Sequence, residues 1–228
     1  YILNLKIKFY STVLFVQLEW LSGLIALFVQ LEWLSGLIAM GMAQIYQVLK
    51  KVRKMFEKLE IIMSQAASKK NFIQRGSVGN EEITALETMQ NITLPNDYKY
   101  FLSRYGYCFW FGEVICGLVG ENKRYEKLCS IVRKNTYYHD LYNNDPKYQS
   151  VASDGIVIGT YDGGGYYFLF AQESERAGEV GLFLTETYGQ EVSKFKSFTD
   201  YLSFLVTGTP DPEPVEVDYD KIMDIIED

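Results

Sequence analysis

With 228 residues, 48% hydrophobic and 15% aromatic, the chain has enough apolar area for one ordinary domain without disulfides or metal, so wholesale disorder is excluded. The net charge of −7 is localised: from Thr209 onward eight acids face only Lys221, and this tail carries the whole excess. The opposite bias, eight bases against two acids from Lys50 to Arg75, flanks the apolar stripe of a predicted helix and reads as its solvated face, which disfavours direct nucleic-acid binding.

The chain opens on an apolar extension, residues 1–42. Within it Leu14–Ala26 recurs unchanged as Leu27–Ala39. An unchanged copy of that length is too short for a structural repeat, so the segment reads as a duplication artefact or an anchor. Residues 33–49 carry no charge and are followed by Lys50, Lys51, Arg53 and Lys54, the minimum length and the right flank for a membrane contact. Gln44 and Gln47 weaken that reading, and packing of this extra N-terminal helix on the domain or on another subunit is favoured over membrane contact through residues 33–49. Ile45, Val48, Leu49, Val52, Phe56, Leu59 and Ile62 fall at steps of three and four, which predicts one face of an amphipathic helix docked on a core.

The polar stretch Ser64–Gly79 reads as a linker. Asn80, followed by Glu81 and Glu82, predicts the N-cap of a helix burying Ile83 and Leu86. Pro95 opens another, with Tyr98, Phe101, Leu102 and Tyr105 on one face and Gly106 as its stop. Residues Tyr107–Val119 favour strand and turn. Arg124–Asn135, with Tyr125, Leu128, Cys129 and Val132 at helical spacing, favours a helix, and the Tyr-, Asn- and Asp-rich stretch after it reads as loop. From Gly155 three short strands separated by a DGGG turn and a polar ESERAG turn predict an antiparallel meander. Ser197 caps a last helix that buries Phe198, Tyr201, Leu202 and Leu205 and ends at Gly208. This gives an α+β fold: an antiparallel β-sheet meander packed with helices over residues 43–208, then an acidic tail at 209–228, read as a solubilising extension.

The catalytic inventory is thin. His139, the one histidine, falls in the predicted loop outside any motif, and reads as a surface residue. The glycines at 163–165 lack the G-K-[ST] ending of a phosphate loop and read as a hairpin turn beginning at Asp162. Glu173 and Glu175 sit in a charged turn where solvent leaves them untuned. Cys108, Cys116 and Cys129 show no metal or redox spacing, so reduced thiols in the cytoplasm are expected, and neither cofactor nor metal is implied. By contrast Tyr107-Cys108-Phe109-Trp110-Phe111 should alternate along a strand and turn one side outward, and exposed aromatics anchor protein interfaces.

The run Glu82-Ile83 to Leu86-Glu87, then Leu94-Pro95-Asn96-Asp97-Tyr98 to Phe101-Leu102 and Tyr105-Gly106, resembles the opening of SUKH domains. Gly155-Ile156-Val157-Ile158-Gly159, Asp162 to Gly165, Ser197-Phe198 and Tyr201-Leu202 are similar to the family's glycine-marked hairpins and closing helix. The resemblance spans about Ile45 to Val206. It implies a non-catalytic bacterial immunity protein that binds and neutralises a cognate toxin, often a nuclease; the alternatives are a regulatory interaction scaffold of the same fold, or an unrecognised hydrolase. No partner surface carries over residue by residue. From charge and aromatic character, Trp110, Glu113, Asp162, Glu173 and Glu175 are the candidate partner-binding residues, the acids matching a basic toxin.

Overall fold

The computed structural model describes residues 38–110, 113–119 and 129–220, with 222 and 225. The tandem copy up to residue 37, and Tyr125 and Leu128 of the expected helix at Arg124–Asn135, lie outside the described residues. The chain divides into two compact units, Tyr1–Lys54 and Met55–Asp228. In the first, residues 38–54 are helical throughout. Ile45, Val48 and Leu49, expected on a docked face, are exposed.

The second unit begins with α1 (residues 55–67), which buries Leu59, Ile62, Met63 and Ala66. The helix runs three residues past Ser64, and the stretch read as linker also holds β1 (Ile73–Arg75). Then come α2 (Asn80–Gln90), α3 (Asn96–Tyr105), β2 (Tyr107–Trp110), β3 (Glu113–Ile115), α4 (Ile131–Asn143), β4 (Gly155–Tyr161), β5 (Gly165–Phe170), β6 (Val180–Leu184), β7 (Glu191–Phe195), α5 (Phe198–Thr207) and β8 (Glu213–Pro214). The eight strands form one antiparallel sheet in simple chain order. The fold is α+β, as the sequence indicates, with β1–β3 on one side of the three-strand meander and β7 and β8 on the other.

Side-chain alternation along the central strands loads both faces of this sheet. Ile156, Ile158, Tyr167 and Leu169 join one core with the apolar sides of α1, α2, α3 and α5. Val157, Tyr166, Phe168 and Phe170 join another with Tyr138 and Tyr142 of α4. Tyr107 and Cys108, neighbours on β2, are both buried in the first of these cores, and Phe109 is half-buried against it; the side chain of Trp110, and Phe111, on which an outward aromatic was also expected, lie outside the described residues.

Several helix boundaries differ from the sequence reading. Gly79, not Asn80, occupies the N-cap of α2, and Pro95 is the N-cap of α3. The helix expected at Arg124–Asn135 runs on to Asn143, so His139 belongs to α4 and not to a loop. The extension buries Tyr138 and Tyr142 against the sheet, and the helix is fastened to β4 by Asn135. Buried on α4, it donates to Ile131 O (2.8 Å) and Val157 O (3.0 Å), and its Oδ1 accepts from Val157 N (2.9 Å). One side-chain amide thereby serves both backbone groups of a strand residue where β4 shifts register, between Val157 and Gly159.

Gly106 stops α3 at φ +73°. A side chain there would place Cβ 2.2 Å from the carbonyl carbon and oxygen of Gly76, so the closeness of two backbones requires glycine as much as the dihedral does. Ser197 caps α5 as expected, its Oγ accepting from Asp200 N at 3.1 Å, and Gly208 ends it in the left-handed region. The tail is more than an extension. Glu213–Pro214 pairs with β7, Val215 N donates to Val192 O (3.0 Å), and Gln190 grips the backbone of Asp218 through its Oε1 (2.8 Å) and Nε2 (3.0 Å).

Candidate functional site

Register decides where the five candidate residues stand. Trp110 and Glu113 face each other across the β2–β3 pair. Because Val114 pairs with Thr160, the end of β3 that holds Glu113 lies beside the end of β4, where Asp162 opens the turn into β5. Trp110, Glu113 and Asp162 therefore share one end of the sheet, together with the turn at residues 185–190. Glu173 and Glu175 belong to the β5–β6 turn at the other end. The five do not form one patch.

The end with Glu173 is joined to the helical layer. Gln172 N donates to Thr93 O (2.9 Å), and Thr93 N donates to Glu173 Oε2 (3.1 Å), which ties the turn to the α2–α3 connection. Hydrogen bonds from Thr93 hold the Glu173 carboxyl below the usual carboxylate range, so this exposed acid stays ionised. The turn is also braced from beneath. Arg176 lies 4.0 Å over the Phe170 ring and reaches Glu179 Oε2 (2.8 Å) and both carboxylate oxygens of Glu191 (2.7 and 2.8 Å). A bidentate guanidinium restrains both β6 and β7 and leaves Glu175 presented to solvent on a stiff support.

Beside this turn stands α2, which buries Ile83 and Leu86 and turns Glu81, Thr84, Ala85, Thr88 and Met89 outward. Three shallow depressions open along it. One of about 430 Å³ runs between Phe56 of α1, α2 and Tyr100 of α3; one of about 640 Å³ follows Ala85 and Met89; one of about 570 Å³ extends over Asn91 and Thr93 to Glu173. Glu87 lies in two of them, but its Oε1 already accepts from Leu94 N (2.7 Å) and Lys99 Nζ (3.1 Å). Residue-level sequence reasoning singled out nothing on α2 as a contact surface, because a surface of Thr, Ala and Glu carries no motif.

The buried polar groups are committed to structure. Asp97, 5% exposed, accepts from Tyr98 N (3.0 Å), Thr199 N (3.1 Å) and Thr199 Oγ1 (3.0 Å), joining the first turns of α3 and α5. Burial raises its pKa, against the lowering effect of those hydrogen bonds. Cys108, Cys116 and Cys129 are buried free thiols, and desolvation pushes Cys116 up to about 12 and Cys129 up to about 11. Thiols so disposed are protonated and poor nucleophiles. His139 Nδ1 lies 3.3 Å from Asn143 Nδ2 one turn along α4. Among the described residues no three His, Cys, Asp or Glu side chains cluster to hold a metal, and no helix is long and apolar enough to cross a membrane.

Against known families, the profile of the SMI1/KNR4 family (SUKH-1) matches residues 78–203, from the residue before Gly79 to the middle of α5. No curated protein matches the chain.

Proposed function

The chain belongs to the SMI1/KNR4 family (SUKH-1), whose profile covers more than half of its length, and on that premise we propose that it is an immunity protein that binds and neutralises a basic toxin. The observation that carries this reading is how the carboxylates are divided. Among the described residues, the one charged side chain that is fully buried, Asp97, is taken up at two helix starts, while Glu81, Glu82, Glu173 and Glu175 are exposed around the depressions beside α2. Acids exposed on a rigid, shallow surface suit stoichiometric recognition of a cationic protein and are poorly placed for acid–base chemistry, which needs a tuned group in a cleft. The α2 face with the β5–β6 turn is the contact surface in this reading. Trp110, Glu113 and Asp162 form a second, separate contact at the far end of the sheet.

The test is co-purification with the toxin encoded beside this gene, combined with survival of cells that express that toxin. A stoichiometric complex and protection are expected, and Glu173→Lys with Glu175→Lys should weaken capture by about tenfold or more, chiefly by slowing association. Absence of both complex and protection defeats the proposal. Equal capture by the doubly reversed variant would move the contact to the Trp110 end.

A further inference from the structure

The helical segment 38–54 presents a face that the immunity reading does not use. Ile38, Met40, Met42, Ile45, Tyr46, Val48 and Leu49 are each at least 60% exposed. On a helix advancing about 100° per residue, Ile38, Met42, Ile45, Tyr46, Val48, Leu49 and Val52 fill one arc of about 160°, and of the large apolar side chains only Met40 falls on the opposite side. That opposite side carries Gln44, Gln47, Lys50, Lys51 and Lys54, Arg53 alone among the bases falls within the apolar arc, near the end of the segment, and no acid occurs between Glu32 and Glu57.

We infer that residues 38–54 are a lipid-surface helix, lying in the interface of an anionic phospholipid membrane with the Ile45–Leu49 face among the acyl chains and the lysines on headgroup phosphates. A broad apolar arc, a lysine-bearing polar side and the absence of acids together fit this occupant. An arc of that width suits a bilayer, which accepts the whole face, better than a groove, which takes one stripe. The lysines complement phosphate charge directly. The segment also differs from a spanning helix, since Gln44 and Gln47 would meet hydrocarbon if it crossed.

The experiment is vesicle co-sedimentation of the full chain, with vesicles of phosphatidylcholine alone and with phosphatidylglycerol added, at low and raised salt. Binding to the anionic vesicles that weakens with salt is expected. Ile45→Glu with Leu49→Glu should lower partitioning on the order of a hundredfold. Lys50→Gln, Lys51→Gln and Lys54→Gln should each lower it roughly fivefold. Both sets alter exposed side chains, so thermal melting should match the parent chain. No binding to anionic vesicles, equal binding to neutral ones, or a doubly substituted chain that binds like the parent overturns the proposal. So does a concentration-dependent dimer that the Glu substitutions dissolve in the absence of vesicle binding, since the face would then belong to a second copy.

Discussion

Replacing Asp97 with alanine should cost far more than its single carboxylate suggests. Three donors, Tyr98 N, Thr199 N and Thr199 Oγ1, lose their acceptor at once in a site closed to water. Hydrogen bonds to a charged group contribute about 1.5–3 kcal/mol each, and relief of the buried charge offsets several kcal/mol of that sum, leaving a net loss of about 4 kcal/mol. That is a large part of the roughly 5–15 kcal/mol that holds a domain folded. Asp97→Asn keeps an oxygen for Thr199 but turns an amide toward Tyr98 N–H, so about 2 kcal/mol is expected. The assay is urea denaturation of the parent and both variants at neutral pH. Because burial raises the Asp97 pKa, the native state takes up its proton at higher pH than the unfolded chain, whose value is about 3.9. The Asp97 contribution therefore grows as pH falls from the native toward the unfolded pKa, and the gap between parent and Asn variant should widen over that interval. An alanine variant as stable as the parent, or an asparagine variant worse than alanine, would refute the bridging role.

Gly106→Ala should destabilise by about 3 kcal/mol or more in the same titration, because both the positive φ and the 2.2 Å approach to Gly76 oppose a side chain. Asn135→Ala should cost about 2–4 kcal/mol by orphaning Val157 N–H and C=O, whereas Tyr138→Phe, which removes one 2.8 Å bond to Gly165 O, should cost about 1 kcal/mol. Cys108, Cys116 and Cys129 should resist a thiol reagent at mildly alkaline pH and all titrate once the chain is unfolded; rapid native labelling of Cys116 would contradict its burial.

The parts of this fold that could be read from the chain are those where local chemistry and tertiary packing agree. The Asp162–Gly165 turn and the apolar runs beside it announce β4 and β5, and Ser197 and Gly208 bracket α5 because capping is a local event. β1, β7 and β8 are not legible in the chain, since IQR, EVSKF and EP alternate too weakly, and only neighbouring strands make them strands. α4 runs further than its residue types suggest because its buried stripe, Ile131, Asn135, Tyr138 and Tyr142, spells a helix period with residues that ordinarily mark loops. Charge and aromatic character picked out Trp110, Glu113, Asp162, Glu173 and Glu175, but their separation onto two ends of the sheet follows from strand pairing, which composition does not encode. The uncovered arc of residues 38–54 was equally invisible, since periodicity predicts an apolar face and not what covers it.

The fastening of the acidic tail has a consequence for how the molecule behaves in a crowded solution. A bare β7 would offer its ladder to any extended chain, the usual seed of runaway polymerisation. Glu213–Pro214 takes those positions, and Pro214, paired opposite Ser193, brings no N–H of its own for a newcomer to use. With Glu213 itself fixed by Lys196 at 2.9 Å, the segment works as a stopper against self-templated growth.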